Sequence, residues 1–214
     1  LVVNLLSYTE KNARFIERVQ AKNYAFGAEQ YVALLLEADF QEDKKKNRQV
    51  DHEQERWNVS GVDYEVDEGY IDLAVIDEQG KFNINWLRST DKEANKYLQM
   101  FENLLSAIDM DIGLAKQVQV WLGADPDSAD DNAAAADNAY LLLDSPRRIA
   151  NTSVVSVSEL KLVDGMSVDD FELLAPFVSM LPKVSKMNLN TALPEVIQSI
   201  SEKISESDAE AIIA

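Results

Sequence analysis

The sequence predicts an α+β protein in two parts, a long helix with a small sheet and then a portion built of helices. Three observations carry that expectation. From about Thr9 to Phe40 the chain has no Pro and a single Gly, Gly27, as one long helix requires. Within Trp57 to Ile76 the stretch "YIDLAVID" alternates, placing Ile71, Leu73 and Val75 on one face of an extended segment. Beyond residue 86 the apolar spacing changes from period two to the helical 3.6.

The long helix carries two apolar stripes. Phe15, Val19, Phe26, Ala33 and Phe40 fall within about 40° of one another at 100° per residue. Tyr24, Ala28, Tyr31, Leu35 and Ala38 form a second stripe on the opposite side. A helix apolar on two faces must be covered twice, either by the chain's own elements or by a partner molecule, and the stripes alone leave both open. A charged, flexible connector over residues 41–56 follows. The short strands come next, closed by the turn "DEQG" at Asp77 to Gly80.

Two related cassettes then punctuate the chain: "KFNINWL" at Lys81 to Leu87 and "KMNLNTA" at Lys186 to Ala192. Asn is poor inside helices and good at their entrances, where its side chain satisfies orphan N–H groups. The expectation is that the second Asn of each, Asn85 and Asn190, opens a helix while the apolar neighbours anchor it. Between the cassettes, Tyr97, Leu98, Phe101, Leu104, Leu105 and Ile108 make one amphipathic helix. Leu114, Ala115, Val118, Trp121 and Leu122 make another, separated from the first by "DMD". Ser167 with Asp170 reads as a capping box opening "SVDDFELLAPFVSML", and Pro194 fits only the first turn of the helix after the second cassette.

Composition narrows the chemistry. The chain has 214 residues, 38 Asp and Glu against 20 Lys and Arg, and a formal charge of −18. That charge repels phosphate backbones, and the sole cationic cluster, Lys44-Lys45-Lys46, is ringed by acids, so nucleic acid is not an expected partner. There is no cysteine, which excludes thiol catalysis, disulfides and cysteine-ligated metals. The single histidine, His52, lies in "NRQVDHEQER" and reads as a solvated loop residue with no second His to build a zinc site. No P-loop, nucleophile elbow or dinucleotide fingerprint occurs, and a carboxylate pair means little among 38 acids. The expectation is a protein that is not an enzyme.

The segment "GADPDSADDNAAAADNAYLLLD", Gly123 to Asp144, reads as an acidic loop without a cation. Its carboxylates repel unless solvent spreads them or a hard cation gathers them. Asp125, Asp127 and Asp131 could wrap one calcium ion, with Asn132 adding an amide oxygen. The EF-hand pattern is not met, since Asp130 stands where that loop needs Gly. Solvated loop and calcium site both stay open.

"MNLNTALPEV" resembles the entrance to helix-hairpin-helix modules. The following "ISEKISESDAE" has four acids and no Gly, so a helix-hairpin-helix-like scaffold is expected without phosphate binding. In order, "QAKNYAFGAEQ", "GKFNINWL", "WLGADPDS…ADNAY", "SVSELKLVDGMS", "LAPFVSMLP" and "MNLNTALPEV" resemble the K-type minor pseudopilins of type II secretion systems, from about Gln20 to Val196. The resemblance implies a pilin-like fold: a long N-terminal helix on a small antiparallel sheet, with a large all-α domain inserted. On that expectation residues 1–86 form the pilin-like part and 87–214 the inserted domain, its C-terminal part helix-hairpin-helix-like, with the later pilin strands missing. It further implies an anchor upstream of "LVVNLL" and a place on the periplasmic side of the inner membrane of a Gram-negative bacterium. Membrane contact would come only through that upstream segment.

The role so implied is that of a structural subunit at the pseudopilus tip, assembling with minor pseudopilins I and J to initiate or cap the pseudopilus for exoprotein export. Further contacts are expected with the major pseudopilin, an exoprotein substrate and the outer-membrane channel. The alternative is a calcium-dependent module binding substrate or channel. The second stripe, Tyr24, Ala28, Tyr31, Leu35 and Ala38, becomes the expected sibling interface. The family also implies calcium near "W-x-D-x-D…G-A-E-D-x-x-Y". Trp121, Asp125, Asp137 and Tyr140 match that pattern, while Gly123 replaces the first Asp and Ala136 the Glu. Calcium is thus carried over to Asp125 and Asp137; Asp127, Asp131 and Asn132 come from local reasoning.

Overall fold

A computed structural model describes residues 2–47, 50–59, 62–67, 69–89, 94–123 and 130–213. The chain divides into two compact units, Leu1–Ile76 and Asp77–Ala214.

The first unit is built on helix α1, Val2–Lys46. It extends beyond the expected Thr9–Phe40 at both ends, so part of the supposed connector is helix. Three lysines fill its last turn, where the negative end of the helix dipole favours cations, and Lys46 pairs with Glu42 at 2.7 Å. Asn47 then takes a left-handed φ of 51°, a conformation Asn tolerates better than most residues, and the helix stops. Residues 50–59 form tight turns tied by buried carboxylates rather than an open linker. Asp43 accepts the Val50 N–H at 3.2 Å, while Glu55 accepts the His52 N–H at 3.0 Å and the Trp57 indole N–H at 2.9 Å. His52 is half-buried, its Nδ1 accepting from the Gln54 N–H at 3.2 Å, so it is not the solvated residue expected.

Strands β1, Val62–Val66, and β2, Gly69–Leu73, pair antiparallel with Val62 opposite Leu73 and Val66 opposite Gly69. Ile71, Leu73 and Val75 are half-buried while Asp72, Ala74 and Ile76 are exposed, the period-two alternation read from the sequence. A lone hairpin is marginal in water, and β2 gains its apolar cover by packing on α1.

The second unit is mostly helical: α2 Ala94–Ala107, α3 Leu114–Leu122, α4 Asp130–Leu141, α5 Val168–Leu174, α6 Pro194–Ser199 and α7 Glu206–Ile213. It also contains a short parallel pair, β3 Phe82–Asn83 against β4 Val178–Ser179. The apolar faces expected of α2 and α3 are buried in one core with Phe82, Ile84, Leu160, Leu174 and Ile197. Phe82 stacks on Phe101 with ring centroids 5.1 Å apart and meets Trp86 edge-on at 5.4 Å. The first cassette therefore belongs to the second unit. The boundary falls between Ile76 and Asp77 rather than after residue 86, because Phe82, Ile84, Trp86 and Leu87 bury their side chains in this core.

The capping box forms as read: the Ser167 Oγ accepts the Asp170 N–H at 3.0 Å and Asp170 accepts the Ser167 N–H at 3.1 Å. The helix it opens is shorter than "SVDDFELLAPFVSML". Pro176 has no N–H to continue the ladder, and a 3₁₀ turn at Ala175–Phe177 leads into β4. Pro194 occupies the first turn of α6, as expected. The segment 123–144 is not one loop, since α4 covers Asp130–Leu141. Its four consecutive alanines are the best helix formers, and aspartates at the start of a helix suit the positive end of the dipole.

Candidate functional site

The two Asn cassettes build a frame that the second unit is hung on, and their roles differ from those expected. In both, the first Asn makes the turn: Asn83 Oδ1 accepts the Asn85 N–H at 3.1 Å, and Asn188 Oδ1 accepts the Asn190 N–H at 3.1 Å. Asn83 caps a 3₁₀ helix over Ile84–Arg88. Asn85, expected to open the helix, is instead buried inside it, bonded to Val154 in both directions and to the Leu181 carbonyl at 3.0 Å. Asn190 is exposed and bonds only locally, and α6 begins after Leu193 with no side-chain cap. A cap at Asn190 is therefore corrected by the structure.

The second cassette docks on the turn preceding the first. Asp77 Oδ2 accepts from the Asn188 amide at 2.9 Å and from the Thr191 hydroxyl at 2.8 Å, and the Asn188 N–H donates to the Gln79 carbonyl at 2.8 Å. The approach is close enough that a Cβ on Gly80 would stand 2.5 Å from the Thr191 carbonyl oxygen, which only glycine avoids. The second cassette is thereby fastened to the turn that opens the second unit.

On α1 the structure sorts the two stripes. Tyr24, Ala28 and Leu35 are half-buried. Tyr24 lines an open groove of about 390 Å³ with Ile71 of β2, and Tyr31 meets Tyr64 of β1 edge-on at 6.0 Å. Ala38 is exposed. Of the stripe expected to meet a partner, Tyr24 and Tyr31 thus lie against the unit's own hairpin, while Tyr31 keeps 44% of its surface exposed. The other stripe is uncovered: Phe15 is 68% exposed, Phe26 53% and Phe40 50%, with Ile16 beside them.

The acidic segment is only partly in view. Asp125 and Asp127 lie outside the described residues. Asp131 and Asn132 fall in the first turn of α4. Asp137 lies further along that helix, where its Oδ1 accepts the Ile149 N–H at 3.0 Å and its Oδ2 receives Arg148 at 3.1 Å. A cation from just outside the segment thus already serves one of its acids. At 1.5 Å rise per residue, positions 131 and 132 stand roughly 7.5–9 Å along the helix axis from position 137. Trp121 and Tyr140, the aromatic members of the pattern, pack against each other at 5.5 Å. The Tyr140 hydroxyl accepts the Asp164 N–H at 2.9 Å, and burial pushes its pKa above the ordinary tyrosine value.

Gly123 ends α3 with a φ of +65°, and a Cβ there would run into the Asn151 side chain. The acid missing at this position is therefore replaced by a packed turn. A further acidic cluster, unnoticed in the sequence, lies in the first unit, where carboxylate oxygens of Asp39, Asp51 and Glu55 lie within 4.8 Å of one another. Among the described residues, no helix is long and apolar enough to cross a membrane.

Comparison with known proteins follows this geometry. Residues 80–183 match the family described as type II secretion system (T2SS), protein K. The chain is 34% identical over 200 residues to type II secretion system protein K of Pseudomonas aeruginosa, covering 91% of this chain and 59% of that protein. It is 28% identical over 211 residues to the Klebsiella pneumoniae protein of the same name, covering 91% and 63%. Its fold is similar to a chain in the crystal structure of the GspK–GspI–GspJ complex from the enterotoxigenic Escherichia coli type 2 secretion system, with a TM-score of 0.71 and 22% identity over 88% of this chain and 69% of that one. The chain thus spans about 59–63% of the length of these curated relatives. The family model and the curated relatives alike are described as components of type II secretion. The chain is similar to the type II secretion system protein K family through residues 80–183 and, over 91% of its own length, to that family's Pseudomonas aeruginosa member.

Proposed function

We propose that the chain serves as a structural, non-enzymatic minor pseudopilin at the tip of the type II secretion pseudopilus, on the periplasmic side of the inner membrane. There it assembles with minor pseudopilins I and J to initiate or cap the pseudopilus for exoprotein export. The observation that carries this reading is the uncovered apolar stripe of α1, Phe15, Phe26 and Phe40, in a chain similar to the protein K family. Exposed aromatics in a row along one helix mark an interaction face rather than scattered surface residues. The similar E. coli chain comes from a complex with GspI and GspJ, which supports the choice of siblings. The test is co-elution of the purified chain with minor pseudopilins I and J. Phe15→Glu with Phe26→Glu should weaken the complex about a hundredfold, as loss of two aromatic anchors does, with the melting of the second unit unchanged. Co-elution that survives the double substitution moves the interface elsewhere.

A second element of the reading is calcium, supported by the concentration of acids from Asp125 onward and by an Asp137 carboxylate already oriented by the Ile149 N–H. When bound, the ion would draw together carboxylates that otherwise repel, with Asp125, Asp127, Asp131, Asn132 and Asp137 as the candidate ligands. Binding the folded state raises its stability by about 2.7 kcal/mol at a hundred times the dissociation constant. Thermal unfolding with calcium, magnesium or chelator reads this directly: calcium should raise the midpoint most, and Asp125→Ala with Asp137→Ala should abolish the rise. Equal midpoints in all three conditions would leave the segment as solvated acid. Calcium-dependent binding of exoprotein or channel without the siblings would favour the binding-module alternative.

A further inference from the structure

We propose that the second unit carries a preformed groove for an acidic, apolar peptide segment of a partner protein. The groove encloses about 770 Å³ between α2 and residues 183–189. Its floor is apolar: Trp86 stacks on Tyr97 with centroids 5.6 Å apart, beside Met100 and Met187. Lys96, Lys183 and Lys186 stand around it. Among the described residues no carboxylate lines it, in a chain where acids outnumber bases 38 to 20.

Three features specify the occupant. The lysines attract carboxylates, and the exposed pair Lys183 and Lys186 sets a local positive field against the −18 background that orients an incoming acidic segment. The floor accepts an unbranched or aromatic side chain, because methionines repack around varied shapes. The wall is held before anything binds. Asn83 donates to the Pro182 carbonyl at 3.1 Å, Asn85 to the Leu181 carbonyl at 3.0 Å and the Trp86 indole to the Ser185 carbonyl at 3.0 Å. A wall fixed by three long-range bonds spares the ordering cost that a mobile loop adds to binding. The first Asn cassette thus shapes the groove it stands beside. A nucleic acid fits less well, since the whole-molecule charge repels a polyphosphate that extends past the groove.

The experiment pans a display library of short random peptides against the purified chain alone, so its result does not depend on siblings I and J. Enriched peptides should carry Asp or Glu flanking Leu, Met or Phe. Their affinity should fall with added salt and drop about tenfold or more for Lys183→Glu with Lys186→Glu. Both lysines are exposed, so the variant should melt like the parent. The charge-matched pair Lys11→Glu with Lys45→Glu, on α1, should leave binding unchanged. Failure to enrich acidic sequences, or affinity unmoved by the groove substitutions, overturns the proposal. Displacement of the peptides by a single-stranded oligonucleotide but not by polyglutamate reassigns the groove to nucleic acid.

Discussion

Asn85 and Val154 hold each other by a two-way exchange: the Asn85 amide donates to the Val154 carbonyl at 2.9 Å and its oxygen accepts the Val154 N–H at 3.0 Å. The side chain behaves as a short piece of strand lodged in the core. Asn85→Ala removes these bonds and the one to Leu181, leaving buried backbone groups unpaired at about 1–3 kcal/mol each. Denaturant unfolding should show a loss of at least about 3 kcal/mol. Asn190→Ala, which removes one exposed local bond, should stay within about 0.5 kcal/mol. Similar losses at the two positions would mean that the cassettes play equal roles after all.

Gly123→Asp would restore the acid of the family pattern but not a ligand. The left-handed backbone costs a non-glycine residue about 1–2 kcal/mol, and the new Cβ meets Asn151. The variant should melt several degrees lower, with calcium present or absent. A variant stabilised by calcium beyond the parent would show that Asn151 yields and that the position still serves the metal.

Asp39 is the group whose titration should be visible in the first unit. Burial, and then the charge of Glu55 with Asp43, Asp51 and Glu42 behind it, raises its pKa above the usual value. A raised carboxyl pKa means that the ionised form is disfavoured in the folded state. Stability is therefore reduced above the folded pKa, regained as pH falls through it, and fully regained below the unfolded value of about 3.9. Asp39→Asn should raise the unfolding midpoint of the first unit at pH 7, with the gap closing toward pH 4. A gap of constant size across that range would point to packing instead of charge.

The hairpin side of α1 and its open side should respond differently to charge. Tyr24→Glu with Leu35→Glu places carboxylates on the half-buried face, and the cost of about 1–2 kcal/mol per lost apolar contact should loosen β1 and β2. Amide exchange over residues 62–73 should quicken. Phe15→Glu should leave those amides as protected as before. Equal protection in both variants would free the second stripe for a partner.

What the sequence allowed one to read was local. The Ser167 box spans four residues, Ile71, Leu73 and Val75 alternate within five, and the stripes of α2 and α3 repeat within two turns, so each carries its signal in its own neighbourhood. In α4 the aspartates signal a loop, but the alanine run between them holds the stronger, helical preference. The cassettes were seen, yet their partners were not, because Asn85 finds Val154 and Leu181 at separations of 69 and 96 residues. The lysine rim of the groove was illegible for the same reason: Lys96 and Lys186 meet only in the folded unit. The stripes of α1 were both found, but periodicity cannot say which one the hairpin takes.

The ties from Asn83 to Pro182 and from Thr191 to Asp77 join residues 99 and 114 positions apart. They make the second unit an enclosure that its last stretch must shut. During synthesis from the N-terminus, Phe82, Ile84 and Trp86 remain without their lid until some hundred further residues have emerged, so these apolar groups travel exposed for longer than any local helix would require. Once shut, the enclosure is indifferent to breaks between its fastenings. A chain cut between residues 83 and 182 keeps its two pieces pinned by bonds that span the cut.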